Sequence, residues 1–117
     1  MLYQGSCHCG AIAFEAEADA PITEVTSCNC SICRRKGSLL WFVPRAKLTL
    51  KTPESAMSTY TFRTHKIEHK FCATCGVSPL AFATAPDGTP MAAVNVRCLP
   101  DVELNGLKVN EFDGKSL

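Results

Sequence analysis

The chain has 117 residues, a net charge of +1 and an apolar fraction typical of globular proteins. This length predicts a single domain over residues 1–117, with a small core that a bound metal would help to stabilise. The near-zero net charge gives no reason to expect nucleic acid as a partner. No stretch approaches the roughly 20 apolar residues of a membrane helix, and the first residues lack the pattern of a signal peptide. We therefore expect a cytoplasmic protein that does not bind membranes, and the sequence leaves its oligomeric state open.

Short alternating segments dominate the chain and predict a mainly β fold. In the first of them, Ile12, Phe14 and Ala16 share one face while the glutamates lie on the other, as in a half-buried strand. Further strands are predicted at Leu39–Val43, Leu48–Leu50, Met57–Phe62, Ile67–Phe71, Val77–Phe82 and Met91–Val96, the last two forming a hairpin around Pro86–Pro90. This pattern predicts an all-β sandwich or a partly open barrel.

One segment has the sequence of a short helix. Ser31–Lys36 is bounded by Ser31, which we expect to cap the helix, and by Gly37, which we expect to end it. The tail from Asp101 to Leu117 predicts one short strand or an irregular run, with Phe112 packing onto the core.

Seven of the eight cysteines fall into three tight clusters: Cys7-x-Cys9, Cys28-x-Cys30-x-x-Cys33 and Cys72-x-x-Cys75. In a reducing compartment, clustered thiols indicate metal or redox chemistry. A secreted disulfide domain is the alternative, but Cys-x-Cys spacing is poorly suited to bridges with separate partners. Seven thiols in this arrangement predict one complete tetrahedral zinc site and one incomplete site.

The complete site combines the first and last pairs, and its predicted ligands are Cys7, Cys9, Cys72 and Cys75. Each pair is followed at once by a glycine, which permits a tight turn that points backbone amides at the sulfurs. Four thiolates make a closed, structural zinc site. The alternative is a Cys-x-x-Cys redox couple, for which the usual βαβ context is missing. His8 lies between two ligands and is expected to point away from them.

The incomplete site has three thiolates, from Cys28, Cys30 and Cys33. Three protein ligands and an open position are the arrangement of a catalytic zinc, which acts as a Lewis acid. Three thiolates overcompensate the charge of Zn²⁺, so the open position favours a soft ligand, namely a thiol.

Basic residues follow the incomplete site directly. Arg34, Arg35 and Lys36 are expected to offset the excess negative charge and to bind the carboxylates of an acidic thiol. The alternative is that these charges only solvate a surface.

Other interpretations of the three cysteines remain open. His65, His69 or Cys98 would make the site structural if one of them supplied a fourth ligand. Without metal, one cysteine would be a nucleophile activated by Arg34 or Arg35, or the three would form a redox relay. His65 and His69 are also the candidates for a general base, and Cys98 is most simply a buried thiol in a strand.

Four motifs resemble those of the glutathione-dependent formaldehyde-activating enzyme family, which also includes centromere protein V: Ser6–Gly10, Cys28–Gly37, Phe71–Gly76 and Asn95–Leu99. The chain is similar to the short, bacterial-type members. The resemblance implies an Mss4-like fold of packed antiparallel β-sheets with zinc knuckles. It also implies two zinc ions per chain, a structural zinc at the four-cysteine set and a catalytic, labile zinc at Cys28, Cys30 and Cys33.

The same resemblance implies a carbon–sulfur lyase. The family's named reaction joins formaldehyde to glutathione and gives S-hydroxymethylglutathione, so glutathione is the expected partner and co-substrate. Two other functions follow from the same relatives. One is a zinc-binding interaction module without catalysis, and the other is a glutathione-linked detoxifying enzyme that acts on another electrophile.

Overall fold

Short strands make up most of the fold, as the alternating sequence predicts. The computed structural model describes residues 1–116, which form a mainly β structure with one short α-helix. The strands are β1 (Leu2–Ser6), β2 (Ala13–Glu17), β3 (Glu24–Cys28), β4 (Leu40–Pro44), β5 (Leu48–Leu50), β6 (Met57–Tyr60), β7 (Glu68–Cys72), β8 (Leu80–Thr84), β9 (Pro90–Asn95) and β10 (Lys108–Phe112). The helix is α1 (Ser31–Lys36), between β3 and β4.

The strands form two sheets that are not closed into a barrel. The smaller sheet has the order β1-β2-β5, and the larger has the order β10-β3-β4-β9-β8-β7-β6. The pairings are antiparallel, except that β10 runs parallel to β3. The all-β prediction is confirmed, and the parallel β10 makes the larger sheet mixed where the family resemblance implies antiparallel sheets.

One hydrophobic cluster draws its side chains from both sheets. Ile12, Phe14 and Ala16 are fully buried on one side of the first hairpin, which confirms the predicted face. From the larger sheet, Leu80 and Val94 join the same cluster. Burial of this apolar surface is the main force that stabilises the fold.

The opposite face of the larger sheet also carries apolar side chains. Because side chains alternate along a strand, the neighbours of the core residues point the other way. A row of facing residues crosses four strands, since His69 pairs with Ala81, Ala81 with Ala93, and Ala93 with Phe42. This second face is therefore available for a site.

Several local details differ from the sequence predictions. Helix α1 is capped by Cys30 instead of Ser31, and no side chain bonds to its N-terminus. Gly37 ends the helix as predicted. Cys98 lies in a 3₁₀ turn (Val96–Cys98) and is only partly buried, because the chain leaves the sheet after β9. Phe112 is 49% exposed at the end of β10 and is not part of the core.

Within residues 1–116, no helix is long and apolar enough to cross a membrane. The expectation of a single domain over residues 1–117 stays a prediction.

Candidate metal centres

The first and last cysteine pairs meet although more than sixty residues separate them. The four Sγ atoms of Cys7, Cys9, Cys72 and Cys75 lie within 4.8 Å of one another, and we call this group the four-cysteine cluster. The Sγ atoms of Cys7 and Cys9 are 3.8 Å apart, and those of Cys9 and Cys72 are 3.6 Å apart. Tetrahedral coordination with zinc–sulfur bonds of about 2.3 Å puts neighbouring sulfurs about 3.8 Å apart. The donor set and its spacing therefore fit a zinc ion.

Tight turns after each pair aim backbone amides at these sulfurs. Gly10 and Gly76 have φ angles of 85° and 82°, a region that residues with a side chain seldom adopt. The amide of Ile12 donates to Cys7 Sγ at 3.3 Å, and the amides of Thr74 and Cys75 donate to Cys72 Sγ at the same distance. The Cys75 amide is the main reason that the pKa of Cys72 falls to about 6. The turn thus favours a thiolate, the form that binds metal.

The second group is formed at the junction between β3 and α1. Cys28 ends the strand, Cys30 caps the helix and Cys33 lies in its first turn, so one sharp bend gathers all three. Their Sγ atoms lie within 4.8 Å of one another, and we call them the three-cysteine cluster. The amide of Cys30 donates to Cys28 Sγ at 3.4 Å. Burial, followed by the neighbouring Cys30 thiolate, raises the pKa of Cys33 to about 12. A bound cation would reverse that shift.

Within residues 1–116, no fourth His, Cys, Asp or Glu joins the three-cysteine cluster at the same mutual distance. His65 lies in an exposed loop, where its Nδ1 is 2.7 Å from Thr61 Oγ1. Cys98 is outside the cluster, and burial raises the pKa of its thiol to about 11. The cluster could therefore hold a metal ion with one coordination position free of protein side chains.

The C-terminal segment closes over the three-cysteine cluster through Asn29. The side-chain amide of Asn29 donates to Asp113 Oδ1 at 2.9 Å, and its carbonyl oxygen accepts from the amide of Lys115 at 3.0 Å. Gly114 lies so close that a Cβ atom there would be 2.5 Å from Cys28 Sγ. The segment therefore fits against the cluster only because residue 114 has no side chain.

A cavity of about 370 Å³ opens beside the three-cysteine cluster, and all three cysteines line it. Its floor is the second face of the larger sheet, formed by Leu40, Phe42, Ala81, Ala83, Met91 and Ala93. Its sides come from α1, the loop after β6 and the end of β10, through Ile32, Phe62, Ile67 and Phe112. The size is within the range of small-molecule sites.

His69 and Lys36 also line the cavity. His69 is 8% exposed and stacks on Phe62, with ring centroids 5.5 Å apart, while its Nδ1 has no hydrogen-bond partner. Burial, assisted by the charge of Lys36, lowers the pKa of His69, so the ring is neutral at pH 7. Burial also lowers the pKa of Lys36, against the opposing effect of the cysteines. A neutral imidazole and a partly buried amine thus share the cavity with the thiols.

The three predicted basic residues do not lie together. Lys36 lines the cavity, whereas Arg34 and Arg35 are exposed and do not line it. Arg35 donates to the carbonyl oxygen of Ser31 at 2.8 Å and lines an adjoining pocket, which shares Ile32 and Phe62 with the cavity. A helix turns by about 100° per residue, so consecutive residues cannot all face one cavity.

Several residues of the site have only weak sequence signals. The small side chains of Ala81, Ala83 and Ala93 create the space of the cavity, but in the sequence they cannot be distinguished from other strand residues. Asn29 and Gly114 are separated by 85 positions, so their joint role depends on the pairing of β10 with β3. The position of Asn29 between two cysteines is the local feature of the sequence that indicates a role at the cluster.

Comparison with known proteins agrees with this architecture. Residues 2–109 match the sequence model of the family described as glutathione-dependent formaldehyde-activating enzyme. A crystal structure of a Rhodobacter sphaeroides protein, solved as a structural genomics target, is similar with a TM-score of 0.77 and 27% sequence identity. The similarity covers 92% of this chain and 99% of that one. The Asp113–Lys115 segment lies beyond the residues that match the family model.

Proposed function

Because the chain belongs to the glutathione-dependent formaldehyde-activating enzyme family, we propose that it forms and breaks carbon–sulfur bonds in small thiol adducts. The observation that carries this proposal is the three-cysteine cluster, which lacks a fourth protein ligand within residues 1–116 and lines a cavity. The four-cysteine cluster, in contrast, has a complete ligand set and a structural role. Glutathione and formaldehyde are the substrates that the family description suggests.

In this proposal, Cys28, Cys30 and Cys33 hold a catalytic zinc, and Cys7, Cys9, Cys72 and Cys75 hold a structural one. The catalytic zinc would supply Lewis acidity towards a soft sulfur or a carbonyl oxygen. Lys36 extends into the cavity and would bind an anionic group of the substrate. Arg34 and Arg35 would act at longer range, as exposed charges that attract an acidic thiol.

His69 is the side chain best placed to move the proton. It is neutral and its ring lines the cavity, so we assign it the role of accepting the proton of the thiol. The sulfur–carbon bond forms as the carbonyl π bond breaks, and the same proton passes to the former carbonyl oxygen. The reaction is an addition without an oxidant or reductant, and its reversal gives the lyase direction.

The redox state of the cysteines bears on the compartment. None of the eight cysteines forms a disulfide, and reduced, clustered cysteines are typical of reducing compartments. A cytoplasmic reaction is therefore part of this proposal. A binding module without catalysis is the competing function, but the cavity beside the open cluster favours a reaction on a small molecule.

The test is exchange NMR of glutathione and formaldehyde with the zinc-loaded protein. We expect faster formation of S-hydroxymethylglutathione than in buffer, loss of this acceleration in Cys28→Ser, and its retention in Cys98→Ser. Cys98→Ser is the matched control because it removes a half-buried thiol that is outside both clusters. No acceleration by the wild-type protein would refute glutathione and formaldehyde as substrates.

A further inference from the structure

The walls of the cavity are mostly hydrocarbon. Of the side chains that line it, ten are apolar, and they form the floor and sides described above. The remaining ones are the three cysteines with Thr26, Lys36 and His69. Outside the cluster, few polar atoms are therefore available to bind polar groups of a substrate.

The most exposed large side chains that line the cavity are apolar too. Phe42, Ile67 and Phe112 are 52%, 47% and 49% exposed, and all three line the cavity. Exposed large apolar side chains that cluster around a concave site indicate a surface that an apolar ligand covers. Burial of these side chains by a ligand would be favourable in proportion to the apolar area removed from water.

Few charged side chains line the cavity. Lys36 is the one lysine or arginine among the lining residues that the structure describes, and it lies near enough to Cys33 and Cys30 for their charges to act on it. Glutathione carries an ammonium group, a pair of carboxylates and amide groups. Burying such groups without partners is unfavourable, and it is more unfavourable for the charged groups than for the amides. Lys36 can offset that cost for a single anionic group.

We infer that the substrate is a thiol with an apolar body and at most one anionic group, which binds with its sulfur at the three-cysteine cluster. This inference rests on the proposed function and names its substrate class. The apolar body lies on the alanine floor of β8 and β9, and the anionic group, where present, is bound by Lys36. The apolar lining of the cavity selects this thiol over glutathione.

The first test compares thiols of similar acidity on the zinc-loaded wild-type protein. Calorimetry measures the binding of phenylmethanethiol, its para-carboxylate and glutathione, and zinc content is checked afterwards. Each thiol is also assayed with formaldehyde by exchange NMR. We expect the apolar thiols to bind at least about tenfold more tightly than glutathione, a ratio that corresponds to about 1.4 kcal/mol. The carboxylate should bind more tightly than phenylmethanethiol, and Lys36→Met should abolish that difference.

A second test alters the floor of the cavity. Ala83→Phe places a ring inside the cavity, whereas Thr84→Phe places the same ring on the exposed, opposite side of β8. We expect Ala83→Phe to weaken phenylmethanethiol binding about tenfold and to leave mercaptoethanol binding unchanged. Thr84→Phe should affect neither. Thermal melts check that both variants fold, and the wild-type comparison does not depend on them.

Each outcome separates this inference from the proposed function. Equal or tighter binding of glutathione, with acceleration by the wild-type protein, would overturn the inference and leave the function standing. Absence of binding and acceleration with every thiol would overturn both. Equal weakening by Ala83→Phe and Thr84→Phe would show that the cavity does not hold the apolar body.

Discussion

The two cysteine clusters consist of the same residue type, but they differ in the number of ligands and in their surroundings. The four-cysteine cluster joins two turns that are distant in sequence, and two of its members are buried, Cys7 and Cys72. The three-cysteine cluster comes from one local bend, all its members are partly exposed, and it lines a cavity. A set that ties the chain together suits a structural role, and a set at a cavity suits chemistry.

The largest effect is expected when one ligand is removed from each cluster. Cys72→Ser should prevent stable folding, because structural zinc contributes about 10–16 kcal/mol in zinc-finger peptides and net domain stability is about 5–15 kcal/mol. Cys28→Ser should fold and should lose its own zinc but not the other. Circular dichroism melts and metal analysis of both variants measure the difference. If Cys28→Ser unfolds as readily as Cys72→Ser, the three-cysteine cluster is structural.

A smaller change tests whether the C-terminal segment supports the three-cysteine cluster. In Gly114→Ala the new Cβ would lie 2.5 Å from Cys28 Sγ, so the segment or the sulfur must move. Outer contacts of metal ligands typically affect metal affinity by about 10–100-fold, and we expect a loss within this range at this cluster alone. A competitive zinc titration with a chromophoric chelator measures it.

Gly106→Ala is the matched control for that variant. It also replaces a glycine of the C-terminal third, but the added Cβ would meet no atom within 4 Å. It should leave both zinc affinities unchanged. A similar loss in the two variants would mean that the effect is general destabilisation and not contact with Cys28.

The smallest expected effect is the pH dependence contributed by His69. Its pKa is lowered in the folded protein, so below the unfolded value of about 6.5 the unfolded chain binds more protons. Stability that is present above this pH is therefore lost as the pH falls through the folded pKa. His69→Gln removes this contribution. Lowering the pH from about 7.5 to about 5.5 should therefore reduce the free energy of unfolding of the wild type more than that of the variant. Urea unfolding at both pH values measures it, and a difference that stays constant would argue against a neutral, buried His69.

Much of this architecture is visible in the sequence, because its signals are local. The alternation around Phe14 predicts a buried face, and the cysteine spacing with Gly10 and Gly76 predicts turns that gather thiols. Such patterns depend on the geometry of a few consecutive residues, so one chain is enough to read them.

The remainder depends on contacts between distant segments. The strand β10 pairs with β3 and carries Gly114 to Cys28, and no local pattern indicates that register. In the same way, the cavity exists because Ala81 and Ala93 are adjacent across two strands. The different surroundings of Arg35 and Lys36 could not be predicted from their adjacent positions in the sequence, because adjacent residues on a helix face different directions.

Cadmium NMR of the cadmium-substituted protein tests whether one cluster is closed and the other is open to a thiol. Cadmium binds thiolates as zinc does and reports the number of sulfurs around it. We predict two signals, of which only the one that disappears in Cys28→Ser shifts when phenylmethanethiol is added. A titration in which that signal stays fixed, or in which the signal of the four-cysteine cluster moves instead, would contradict the account.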